Sequence, residues 1–150
     1  MPEKETLARA AQDKREGKAP STQAGEFVRE EMDHIREGKH GARSTKQAIA
    51  IGLSKARRAG VELPPPARGA ASETTRAQAT RDSRKGQEPA RTPSATRSRA
   101  ITAALKREGS KAASPAALSR QAHAAAKKRG PASLSSAARK AAHTRAAGSE

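Results

Sequence analysis

Large apolar side chains recur at helical spacing in one stretch of the chain only. Phe27, Val28, Met32 and Ile35 fall within three turns, and the 28/32/35 spacing puts three of them on one face with Phe27 beside them. Ser21 or Thr22 can cap this helix, and Gly38 supplies the left-handed residue that ends it. A short loop, Gly38-Lys39-His40-Gly41-Ala42-Arg43, leads to Ser44-Thr45-Lys46-Gln47, a capping-box pattern that opens a second helix. That helix runs from Gln47 to Ala59 with Ile49, Leu53 and Ala56 as its stripe, and Gly60 closes it. Val61 and Leu63 can fold back onto its end. The pattern predicts an antiparallel helical hairpin over residues 21–63. A weaker helix from Glu3 to Glu16, carrying Leu7 and several alanines, precedes it in an arm spanning residues 1–20. Arg15-Glu16-Gly17, Arg36-Glu37-Gly38 and Arg107-Glu108-Gly109 repeat one punctuation, read each time as a helix end closed by glycine.

Beyond the hairpin the pattern thins out. Pro64, Pro65 and Pro66 favour a stiff extended segment and open a linker over residues 64–72. The remaining stretch, 73–150, is an Ala/Arg/Lys-rich low-complexity tail. Within it Pro115 to Arg129 aligns with Pro131 to Arg145 at an offset of 16, with Pro at the start, alanines inside and basic residues near the end. A weaker copy begins at Pro93. Only 13 of the 150 residues are Ile, Leu, Val or Phe, whereas alanine contributes 35. That lies far below the ~20% of large apolar residues at which a highly charged chain is expected to be disordered. The expected fold is therefore mostly α with extensive disorder: a short hairpin, three-helical if the N-terminal helix joins it, and a long basic tail with transient helices. About forty residues rarely supply enough core alone, so a homodimer or a protein partner through the hairpin is expected.

Charge sharpens the division. The chain has 31 Lys and Arg against 15 Asp and Glu, a net charge of +16. Residues 65–150 hold eighteen of the basic and five of the acidic side chains, while residues 21–64 hold eight and six. The basic groups fall into clusters: Lys55, Arg57 and Arg58 at the end of the second hairpin helix, then Lys106 and Arg107, Arg120, Lys127, Lys128 and Arg129, and Arg139, Lys140 and Arg145. Lys and Arg neutralise phosphates and release condensed counterions, which gives affinity without sequence information. A net +13 over 86 residues exceeds what solubility needs. These twelve residues are the expected nucleic-acid-binding groups, with DNA (or RNA) as partner.

Other chemistry has little support. Stacking platforms for single strands are missing, because Phe27 is the sole aromatic residue. Thr45, Lys46 and Gln47 could touch bases in a sequence-reading regulator, but their position suits a cap and first turn better. The chain lacks cysteine, and it has no phosphate-loop run and no apolar stretch of membrane-spanning length. A charged N-terminus without an apolar core fits a soluble, cytoplasmic protein. The tail repeats carry one Leu each, too thin an apolar face for a membrane surface. His34, His40, His123 and His143 are scattered, and the first two would need a third ligand to hold zinc. Glu30, Glu31, Asp33 and Glu37 read as the solvated face of their helix, with Arg29 and Asp33 an ordinary i,i+4 pair. No metal, cofactor, small-molecule substrate or enzymatic activity is expected. The expected function is non-enzymatic, largely sequence-independent DNA binding, as a nucleoid-associated or DNA-protecting accessory protein. The alternative is a protein-interaction module, with the hairpin docking into a larger assembly and the tail as anchoring arm.

The segment from Ser21 to Gly60, with Ser21-Thr22-Gln23-Ala24-Gly25-Glu26-Phe27-Val28-Arg29-Glu30-Glu31 and the later run from Arg36 through Ser44-Thr45-Lys46-Gln47-Ala48-Ile49-Ala50-Ile51-Gly52-Leu53-Ser54-Lys55-Ala56-Arg57-Arg58-Ala59-Gly60, resembles a family of small basic bacterial proteins of unknown function. That resemblance implies no activity and no catalytic residue. The tail is similar in composition to the Ala/Lys/Arg/Ser/Pro-rich arms of linker-histone-like bacterial proteins, which implies phosphate-directed DNA binding.

Overall fold

A computed structural model describes residues 1–89 and 91–148. Among them are seven α-helices, α1 (Lys4–Arg15), α2 (Pro20–Arg36), α3 (Thr45–Arg58), α4 (Glu73–Gln87), α5 (Ala95–Lys106), α6 (Pro115–Arg129) and α7 (Pro131–Ala147), with one 3₁₀ turn at Lys111–Ala113. The helical class holds, but the extensive disorder expected for the tail does not. Helix follows helix to Ala147, and the compact N-terminal unit runs from Met1 to Ser114, taking in residues that charge alone had grouped with the tail.

The expected hairpin is α2 and α3. The first starts one residue before Ser21: Ala19 is the cap and Pro20 takes the first helical position, where its missing N–H costs nothing. Gly38 ends it with φ 74°, as the sequence implied, and Gly17 and Gly60 end α1 and α3 with φ 72° and 90°. The third copy of that punctuation differs, because Gly109 has no positive φ; instead its carbonyl accepts the Ala42 amide at 3.1 Å. The capping box at α3 is displaced by one residue. Ser44 Oγ accepts the Gln47 amide at 3.2 Å, while Gln47 Oε1 accepts the amide of Arg43 at 2.7 Å.

The core is built from small residues. Ala10, Ala24, Phe27, Ala56 and Val61 form one buried cluster with Leu53 and Leu63 packed on it, and Ile35, Ala48 and Met32 are buried as well. The face α3 buries includes Thr45, Ala48, Gly52 and Ala56; of the expected stripe Ala56 is buried, while Ile49 and Leu53 lie one position round from Ala48 and Gly52 and are half-buried. Its narrow side chains let α2 and α3 cross closely. On α1 the buried face is Thr6, Ala10 and Asp13, and Leu7 is exposed.

α4 packs on α3 through polar groups. Asp82, 1% exposed, accepts from Ser54 Oγ at 2.7 Å, Arg58 Nε at 2.8 Å and Gln78 Nε2 at 3.0 Å. Gly86 lies so close to α3 that a Cβ would meet the Arg57 carbonyl oxygen at 2.0 Å. The proline linker is tied down from both sides, since Arg57 donates to the carbonyls of Leu63 and Pro64 and Arg76 to that of Pro66. Further along, Thr45 Oγ1 donates to Ala112 O at 2.6 Å and Arg36 Nε to Ala113 O at 3.1 Å. These contacts explain the missing disorder. A count of large apolar residues overlooks close-packed Ala and Gly surfaces and side-chain-to-backbone bonds, and these bind the linker, α4 and residues 105–113 to the hairpin, while α5 buries no residue.

Residues 115–150 form the second unit. Its two helices are the two copies of the sequence repeat, joined at Gly130 with φ 80°, and each begins on its proline. Neither helix has a buried residue among those described. Local propensity holds them: alanine is the strongest helix former, and the proline and glycine set their limits.

Candidate functional site

The twelve basic residues expected to meet phosphate separate into two groups. Lys55 and Arg57 are committed inside the protein, and Arg58, though exposed, is held by an ion pair. Lys55 Nζ sits against Glu31 Oε1 and lies 3.1 Å from Glu30 Oε1; burial opposes its charge, yet Glu31 and then Glu30 hold its pKa above the usual lysine value. Arg57 is buried with its guanidinium on two carbonyls, and that burial lowers its pKa. Arg58 is paired with Asp82. Thr45, a candidate for base contact, is covered by the Ala112 backbone.

The others stand at the surface. Lys106, Arg107, Arg120, Lys127, Lys128, Arg129, Arg139 and Lys140 are exposed and form no ion pair among the described residues; Arg145 is exposed too. Residues 115–148 hold seven Lys and Arg and no Asp or Glu. Arg120 and Lys127 are seven positions apart, on one face of α6. What this unit can do chemically is place a dense positive charge along two slim helices, with no Asp or Glu within residues 115–148.

A second constellation lies where α1, α2 and the α2–α3 loop meet. Glu30 and Glu31, expected on a solvated face, are buried at 4% and 0% exposure. The start of α1 covers Glu30 through Glu3 and Thr6, and Lys55 of α3 reaches both carboxylates. The expected Arg29–Asp33 surface pair is present at 4.0 Å. Glu30 Oε2 accepts the Glu3 amide at 3.0 Å. Burial works against the Glu30 charge, but the Thr6 hydroxyl, the Glu3 amide and Lys55 outweigh it and hold its pKa below the ordinary carboxylate value. Glu31 faces two imidazoles, with His40 Nε2 at 3.3 Å from Oε2 and His34 Nδ1 at 3.9 Å from Oε1. The rings meet edge to face, 5.9 Å between centroids. His34 Nε2 lies 2.9 Å from Glu3 Oε1, and that bond, with Lys39 beside it, lowers the Glu3 pKa to about 2. One sequence signal pointed here: Glu31 and His34 stand at i,i+3 on one helix face. Nothing local brought His40 to them, because Gly38 turns the loop back.

The chain is similar to a family of unknown function (DUF6496) over residues 17–67. The matched span covers α2, α3 and their loop, so it includes Glu31, His34, His40 and Lys55 but none of the basic residues from Lys106 onward. No curated protein and no solved structure matches the chain. Among the described residues, no helix is long and apolar enough to cross a membrane.

Proposed function

We propose that the protein binds duplex nucleic acid, DNA foremost, without reading its sequence, as a non-enzymatic accessory protein of the nucleoid. The observation that carries this reading is the charge of α6 and α7: seven exposed Lys and Arg with no acidic side chain over residues 115–148. Lys106 and Arg107 extend the same surface chemistry to the end of α5. Contacts of this kind go to phosphates, so affinity comes from counterion release and position along the duplex is free. This reading leaves Lys55, Arg57 and Arg58 out of the binding set, because Lys55 and Arg57 are held by buried contacts and the exposed Arg58 by Asp82, and counts them as supports of the N-terminal unit.

The test is a titration of the full-length protein against random-sequence duplex DNA at several salt concentrations. Log K should fall linearly with log salt, by about 0.9 per phosphate neutralised, and be indifferent to sequence. Replacing Lys127, Lys128 and Arg129 together by Gln should flatten that slope by up to about 3. Absence of binding at low salt would overturn the reading and favour a protein-docking role for the hairpin.

A further inference from the structure

We propose that Glu31, His34 and His40 hold a divalent transition-metal ion of the zinc class. The three residues each offer one ligand atom, and these atoms lie within 4.8 Å of one another. The hydrogen bonds around the rings decide which nitrogens face the ion. His40 Nδ1 lies 3.0 Å from the Gly41 carbonyl, which can only accept, so this nitrogen carries the proton and Nε2 presents its lone pair. His34 Nε2 is bound in the same way to the Glu3 carboxylate, which leaves its Nδ1 bare. Both lone pairs then turn toward Glu31, whose Oε1 is taken by the Lys55 ammonium while Oε2 has no hydrogen-bond partner among the described residues.

This is the arrangement of metal-ligating histidines, in which the far ring nitrogen donates to a carboxylate or carbonyl that fixes the tautomer. The spacing agrees. Zinc bonds of about 2.0–2.2 Å in a tetrahedron put ligand atoms about 3.3–3.5 Å apart, and His40 Nε2 to Glu31 Oε2 is 3.3 Å. His34 Nδ1 lies 3.9 Å from Glu31 Oε1, so its ring has to shift toward the ion to complete the site. Charge agrees as well. Glu30 and Glu31 bring two negative charges into a buried pocket against the single ammonium of Lys55, and Lys55 sits on Oε1, so Oε2 is the corner open to a second cation. His34 and His40 side chains are 13% exposed, which leaves an entry path. Two imidazoles and one carboxylate leave a fourth position for water or an exogenous ligand.

The experiment treats the full-length protein with chelator and then titrates Zn²⁺ by calorimetry, with Co²⁺ absorption as a second reporter of geometry. One equivalent should bind. Glu31→Gln and His40→Gln should each weaken it by more than about 100-fold. Glu3→Ala, which removes the outer hydrogen bond to His34 together with the Lys39 ion pair, should weaken it by about 10–100-fold. A His123→Gln/His143→Gln double variant should bind as wild type. Circular dichroism establishes that each variant is folded, and His40, on a loop, keeps the test open if Glu31→Gln unfolds. Absence of stoichiometric binding would overturn the proposal. Unchanged affinity in His40→Gln, or loss of binding in the double variant, would overturn it equally.

Discussion

Gly52 of α3 crosses Val28 of α2 so closely that a Cβ on Gly52 would lie 2.7 Å from the Val28 Cα and 2.9 Å from its amide nitrogen. Neither of these backbone atoms can step aside alone. A glycine inside a helix normally costs about 1 kcal/mol against alanine, so its presence there reflects the crossing. Gly52→Ala should therefore destabilise the protein by about 1–3 kcal/mol in spite of better helix propensity, as overpacking does. Gly25, an exposed glycine within α2 where an added Cβ would meet nothing inside 4 Å, is the control. Gly25→Ala should stabilise by about 0.5–1 kcal/mol. Urea unfolding of the two variants gives opposite signs if the crossing is as described.

Asp82 joins α4 to α3 with no apolar help beyond Ala79. Three donors converge on its carboxylate, and Arg58 and Ser54 come from the far side of the interface. Asp82→Ala should cost about 1.5–3 kcal/mol, the range for hydrogen bonds to a charged group, because it also strands an arginine and a hydroxyl. Arg58→Gln should lose stability too, yet leave DNA affinity and its salt slope unchanged. A fall in DNA affinity in a folded Arg58→Gln protein would return Arg58 to the binding surface.

What the sequence made legible follows from what its signals measure. The glycines that end α2 and α3 and the limits of the two segments of the 16-residue repeat were readable, because prolines and glycines act within a few residues, whereas the cap of α2 was placed too late and the repeat segments were expected to be only transiently helical. The buried face of α3 was read correctly at Ala56 but one position off at Ile49 and Leu53, where the close crossing selects Ala48 and Gly52. The docking of α4 was hidden for a different reason. Asp82, Ser54 and Arg58 are ordinary surface types, and only the fold brings residues 24 and 28 positions apart to one carboxylate. The same limit applies to Lys55, whose charge suggested phosphate and whose partners proved to be two glutamates. It applies again to His40, which reaches Glu31 only through the Gly38 turn.

Lys18, between α1 and α2, offers a pH-dependent contact away from these clusters. Its ammonium bonds Asp13 Oδ1 at 2.7 Å and Glu16 Oε2 at 2.8 Å, and its carbonyl accepts from Gln23. Lys18 lowers the Glu16 pKa below its ordinary 4.5, with Gln12 adding to the effect, while Asp13 and then Glu16 raise that of Lys18 above 10.5. A depressed carboxylate stabilises above its unfolded value and loses that contribution as pH falls through the folded one. A raised lysine stabilises below its unfolded value and loses its contribution as pH rises through the folded one. The contact is therefore whole between about 4.5 and 10.5. Lys18→Met should lower the melting temperature at neutral pH and low salt. The gap to wild type should narrow below pH 4.5 and in high salt, since the pair is exposed and screened. A gap that is independent of both would assign the effect to packing of the lysine stem.

The helical state of α6 and α7 sets the last expectation. Two Ala-rich segments of this length are marginal as isolated helices in water, but here each starts on a proline, and Gly130 joins them with a positive φ that limits both. Helix is then already present before any polyanion arrives. Circular dichroism of the full-length protein should show the helix content of seven helices in the free state. Saturation with duplex DNA should leave it almost unchanged, because the phosphates meet side chains whose backbone is already ordered. A large rise in helix signal on adding DNA would mean that residues 115–147 fold on binding. Affinity would then carry the cost of ordering them, and the charged surface would be a product of the complex instead of a feature of the free protein.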